Sequence, residues 1–161
     1  MTEYFEPFPG NRGDELGNFA SYRKQPHRGS DWSGNDGKII KAITTGRVKQ
    51  VFTSEQLGHC LIQSTGDGLH LLYAHMKSPS SRKVGEMVIG GETAIGVVGN
   101  TGTATTGSHL HCGLSAAPNP ATASYASLVD LHKHIDANST KPIAAPKPAA
   151  KPAAKKAPAK K

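Results

Sequence analysis

The chain has 161 residues, with 19 Lys and Arg against 12 Asp and Glu, eight His, 18 Gly and only two Cys. That length suits one domain with its own apolar core, and two cysteines exclude a small scaffold stapled by several disulfides. No run approaches the ~20 consecutive apolar residues of a membrane helix, and the start Met-Thr-Glu-Tyr-Phe-Glu is acidic, so neither membrane insertion nor signal-directed export is expected.

Residues 1–26, interrupted by Pro7, Pro9, Gly10, Gly13 and Gly17, show no apolar period and are expected to wrap a sheet as ordered loop. Short apolar runs with Gly-containing breaks then predict strands over 38–44, 47–53, 59–65, 69–76, 93–98 and 109–115. In 69–76, alternation puts Leu69, Leu71, Tyr73 and His75 on one face and His70, Leu72, Ala74 and Met76 on the other. One helix is predicted over 127–137, where Leu128, Leu131 and Ile135 recur at helical spacing behind a cap from Ser124 or Ser127.

From Asn138 onward the composition changes: seven Lys, five Pro and no Asp or Glu, so that this stretch carries the whole net charge of +7. Repeated prolines remove backbone donors and the lysines repel one another, so no core forms there. The chain therefore divides into a mainly β folded domain over 1–137 and a disordered basic arm over 138–161. Such an arm suits polyanions, whether anionic wall polymers or, without sequence preference, nucleic acid.

Two histidine sets have ligand-like spacing. His132-Lys133-His134-Ile135-Asp136 falls on the predicted helix, where His132 and His134 point about 200 degrees apart and His132 and Asp136 read as an i,i+4 pair on a solvated face. In the other set, His109 and His111 lie two apart on a strand and share a face, with Leu110 and Cys112 on the opposite one. His27 and Asp31 flank Gly29 after Pro26, the setting for a tight turn that brings both side chains to one point. Two His and one Asp plus a water make the open tetrahedral site of catalytic zinc, which leaves one histidine of the 109–111 pair as a base beside the water. His75, on another interior strand, is placed to supply a further donor. Cys60 and Cys112 read as small buried hydrophobes, and Trp32 as a core wall beneath the metal residues.

Taken in order, these segments resemble the lysostaphin-like, or LytM-type, zinc endopeptidases of bacterial peptidoglycan. The resemblance runs through Phe19-Ala20-Ser21-Tyr22-Arg23, His27-Arg28-Gly29-Ser30-Asp31, Tyr73-Ala74-His75-Met76, Val84-Gly85-Glu86-Met87-Val88, the Gly-rich Ile95 to Gly102, and Gly107-Ser108-His109-Leu110-His111-Cys112-Gly113-Leu114. It implies a mostly antiparallel β fold, an open barrel or sandwich with a groove above the sheet. It also implies Zn²⁺ on His27, Asp31 and His111, with His75 and His109 acting on the water and the transition state; which of these two is the base stays open. Cys112 stands where the family commonly has an aromatic residue, and Asn35-Asp36-Gly37 replaces a Pro-containing turn. The implied role is a phage endolysin-like enzyme, made in the host cytoplasm and acting at the cell wall, with the basic arm aiding attachment. The competing readings are a non-catalytic wall-binding module and a nucleic-acid-binding protein acting through its arm.

Overall fold

In a computed structural model, described over residues 2–9, 11–20 and 23–139, the chain forms nine short strands and one helix. The strands are β1 Ser30–Ser33, β2 Ile39–Lys41, β3 Gly46–Ser54, β4 Gly58–Ser64, β5 His70–Met76, β6 Met87–Val88, β7 Ala94–Val97, β8 His109–Ser115 and β9 Leu128–Val129, and the helix is α1, Leu131–Asn138. The main sheet is antiparallel in the order β1-β8-β5-β4-β3-β6, with β9 also on β8, and it curls into an open half-barrel; β2 and β7 form a separate pair. Among the described residues no helix is long and apolar enough to cross a membrane. The arm predicted over 138–161 lies beyond the described residues from Thr140 onward; its first residue, Asn138, instead ends α1, where its carbonyl accepts from the Tyr4 amide at 3.1 Å.

Alternation sorts the strands onto two faces. Trp32, Val48, Leu61, Leu71, Tyr73, Leu110, Cys112 and Leu114 point into the larger core, where Tyr4, Phe8, Ile43, Leu131 and Ile135 cover them. Removing each such side chain from water stabilises the fold by about 1.5–3 kcal/mol. The opposite face carries a smaller cluster of Cys60, Ile62, Leu72 and Ala74, capped by Phe52, Leu57 and Ala121. Both cysteines are free and buried. The polar tip of the buried Tyr73 is matched: its hydroxyl donates to Gln63 Oε1 at 2.5 Å and accepts from the Ile43 amide at 2.9 Å.

Several local expectations need correction. The 38–44 strand shrinks to Ile39–Lys41, because the Lys41 and Ala42 amides bond to the carbonyls of Pro7 and Thr93 rather than to a continuous neighbour. The helix starts at Leu131 instead of 127, since Asp130 caps it by accepting from the Lys133 amide, while 125–127 form a 3-10 turn and Leu128–Val129 pair with β8. The third concerns His75. Its φ of 62° and a register shift between β4 and β5 break the alternation, so that Met76 returns to the large core and His75 leaves the Tyr73 face.

The segment before β1 is not a tight turn. Residues 11–14 run along its outer edge, with Gly13 N to Asp31 O at 2.7 Å, Asp31 N to Asp14 O at 2.9 Å and Ser33 N to Asn11 O at 3.0 Å. On the other side Asp31 is registered with His111 of β8. Gly29 makes this approach sterically feasible: a Cβ there would stand 2.1 Å from the Cys112 carbonyl oxygen and 2.8 Å from the His111 ring. Gly29→Ala is therefore expected to destabilise the protein by about 1–3 kcal/mol, the range for overpacking, and to loosen the His27 to His111 spacing. An unchanged melting temperature in thermal denaturation would contradict this.

Candidate metal centre and groove

Asp31 from β1, His111 from β8 and His27 from the segment leading into β1 converge on one point. Asp31 Oδ1 lies 2.9 Å from His111 Nδ1 and 3.2 Å from His27 Nε2, and the two ring nitrogens are 3.2 Å apart. Zinc held at about 2.0–2.1 Å by tetrahedral ligands requires ligand-to-ligand edges of roughly 3.3 Å, so the donor triangle has the dimensions of a zinc site once its shortest edge, Asp31 to His111, opens slightly. The far side of His27 is fixed as well. Its Nδ1 lies 2.9 Å from the Glu15 carbonyl, an acceptor only, so Nδ1 holds the proton and Nε2 presents its lone pair.

The electrostatics agree. Burial alone raises the Asp31 carboxyl, but the His111 and His27 rings set against it outweigh burial and hold the group well below the usual carboxylate range. Burial lowers His111 despite the Asp31 carboxylate, which favours the neutral, ligating imidazole.

His75 and His109 stand beside the triangle. Their rings are 4.8 Å apart, and His75 is 6.0 Å from His111, centroid to centroid. His75 Nδ1 donates to the Thr101 carbonyl at 2.7 Å and His109 Nδ1 to the Gly107 carbonyl at 2.8 Å. In both rings Nε2 is thereby the free nitrogen, and that of His109 sits 4.0 Å from Asp31 Oδ2. Burial pushes His75 down to about 4, which keeps it neutral near pH 7. All five residues line one groove of about 950 Å³, bordered by Arg23–Arg28, Thr103–Ser108 and Pro120–Ala121.

The structure thus brings together the five residues singled out in the sequence. It corrects the reading of the second histidine set. His132 is not on a solvated face: it is 7% exposed, its Nε2 lies 3.0 Å from the Asp31 carbonyl, and its ring meets Trp32 edge-on. Because α1 begins at Leu131, its inner face is Leu131, His132 and Ile135, and Asp136 pairs with Arg12 rather than with His132. His134 bonds to Asp67 at 2.9 Å, well away from the centre's ligand set. The carbonyls of Glu15, Thr101 and Gly107, which set the histidine tautomers, carry no sequence signal because every residue has a carbonyl.

The fold has close counterparts among solved structures. The catalytic domain of lysostaphin, an antimicrobial peptidase from Staphylococcus simulans, aligns with a TM-score of 0.68 at 26% identity, over 79% of this chain and 92% of that one. LytU aligns with a TM-score of 0.67 at 29% identity, over 84% and 91%. The catalytic domain of EnpA, a prophage-encoded M23 protein from Enterococcus faecalis, aligns with a TM-score of 0.63 at 28% identity, over 73% and 88%. The sequence itself, over residues 25–122, matches the profile of peptidase family M23. That span is more than half of the chain and holds all five groove residues, so the protein belongs to peptidase family M23, the zinc metallopeptidases that hydrolyse peptidoglycan.

Proposed function

We propose that this protein is an endopeptidase that lyses bacterial cell walls in the manner of a phage endolysin, with residues up to Asn138 as the catalytic domain and the Lys-rich stretch after it as an attachment arm. The observation that carries the reading is the convergence of a His, Asp, His triangle of zinc dimensions with two further histidines presenting Nε2 to one groove. The likeness to a prophage-encoded M23 protein supports the endolysin setting.

In this reading His27 Nε2, Asp31 Oδ1 and His111 Nδ1 hold the zinc. Bound there, the ion supplies Lewis acidity that eases deprotonation of a water and polarises the scissile carbonyl. His75 and His109 would handle protons: a neutral Nε2 accepts one from the attacking water and, now protonated, passes it to the departing amine, while the second ring donates to the tetrahedral oxygen only as an imidazolium, with protons on both nitrogens. The Thr101 and Gly107 carbonyls keep both rings turned toward that work. Mass spectrometry of muropeptides released from several peptidoglycan chemotypes tests the activity and identifies the bond. New amino termini are the expected product; intact stem and bridge peptides would contradict the reading.

The seven lysines beyond Ser139 carry the whole net charge, which suits attraction to anionic wall polymers. Truncation after Ser139 spares the Asn138 carbonyl that accepts from the Tyr4 amide. It is expected to leave turnover of a small soluble peptide unchanged and to weaken wall binding at low salt. The difference should fade as the Debye length falls from about 10 Å at 0.1 M to about 3 Å at 1 M salt. Equal sedimentation of both forms with walls at low ionic strength would refute a targeting role.

A further inference from the structure

We propose that His132 is a positioning residue of the metal centre, acting through the main chain of Asp31, and that the outer shell of the centre is built from parts of the chain outside the M23 match. The proposal rests on the zinc reading above. His132, Arg12, Glu6 and Asp136 all lie outside residues 25–122.

β1 is four residues long and lies at the end of the sheet order, with β8 on one side and, on the other, only the short stretch 11–14 among the described residues. An edge strand of that length frays readily unless something else grips it. The Asp31 carbonyl accepts two bonds, from Gly13 N at 2.7 Å and from His132 Nε2–H at 3.0 Å. His132 is buried, and its ring stands edge-on to Trp32 at 4.8 Å and 85°. The Trp32 indole in turn donates to Glu6 Oε1 at 3.0 Å, Glu6 Oε2 accepts from Arg12 at 2.6 Å, and Arg12 reaches both oxygens of Asp136 at 2.9 and 3.2 Å. Helix α1 is therefore fastened to the metal strand twice, at the carbonyl of the ligand residue itself and, through Arg12 and Glu6, at the side chain of the next residue. A carboxylate must be held to within about 0.5 Å to keep its place in a preorganised centre. The position of the Asp31 backbone sets where its carboxylate can reach, and α1 helps to fix that position.

The test is zinc affinity, measured by chelator competition on the full chain. His132→Leu keeps an apolar body against Trp32 but removes the donor, and it is expected to weaken zinc binding by about 10-fold, the lower end for loss of an outer-shell partner. His132→Gln places an amide N–H where Nε2 stands and is expected to recover most of that loss. Ile135→Val thins the same buried face of α1 without touching the hydrogen bond; it should lower the melting temperature and leave zinc affinity unchanged. Trp32, the only tryptophan, reports by fluorescence whether each variant keeps the native packing. Unaltered affinity in His132→Leu, a Gln variant no better than Leu, or an equal loss in Ile135→Val would overturn the proposal. Failure of the unmodified protein to bind one zinc would instead overturn the zinc reading on which it rests. If His132→Leu does not fold, the Gln variant decides: affinity near the unmodified value supports the donor role, and a 10-fold loss in a natively packed Gln variant refutes it.

Discussion

Replacing Asp31 with Ala is expected to remove zinc from the protein and to reduce peptidoglycan hydrolysis by at least about 10³-fold, equivalent to ~4 kcal/mol of lost transition-state stabilisation. Asp31 supplies the single carboxylate of the His27, Asp31, His111 triangle, so its loss leaves two neutral imidazoles and no anion to offset the cation. The sheet should survive. The carboxylate lies on the groove side of β1, whereas the neighbouring Trp32 is fully buried in the core on the other side. The backbone bonds of Asp31 to Gly13, Asp14 and His132 do not use the side chain that is removed. Elemental analysis together with circular dichroism checks both halves. Full zinc content in a folded Asp31→Ala protein would remove Asp31 from the ligand set.

His75→Ala and His109→Ala should behave in the opposite way with respect to metal: zinc stays while turnover falls by roughly 100-fold or more, the scale for loss of an acid-base group or a transition-state donor. Neither residue belongs to the ligand triangle, yet each presents Nε2 to the groove. The two variants should differ in structural cost. His109 sits in regular strand geometry, registered with Ser33, whereas His75 occupies a left-handed bulge at φ 62°. Alanine tolerates that conformation poorly, and about 1 kcal/mol or more of stability is expected to go with the side chain. His75→Asn, a residue type that accepts positive φ more readily, separates the two effects: it should regain stability without regaining activity. Recovery of activity along with stability would mean that His75 supports the bulge rather than the chemistry.

Much of the centre was legible because β geometry is nearly periodic. His109 and His111 share a face with Leu110 and Cys112 behind them, as an alternation of two requires. The same rule failed at His75, where a bulge inserts half a period that no residue type in Tyr73-Ala74-His75-Met76 announces. Helical spacing found α1 but misplaced its start, because Leu128 fits both a helix stripe and the β9 ladder, and the cap at Asp130 decides between them. The largest misreading was His132 as a surface residue. A histidine at an i,i+4 spacing from an aspartate looks solvated when the helix is considered alone. Its burial comes from tertiary contacts with Asp31 and Trp32, about 100 residues away in the chain, which local pattern does not encode.

The most direct test of the zinc endopeptidase account is metal reconstitution on purified peptidoglycan. Protein stripped by chelation should release no new amino termini from the wall, and one equivalent of zinc per chain should restore their release while leaving reducing ends unchanged, since a peptidase cuts peptide and not glycan bonds. Activity that survives full removal of metal, or reducing ends in place of free amines, would contradict the account.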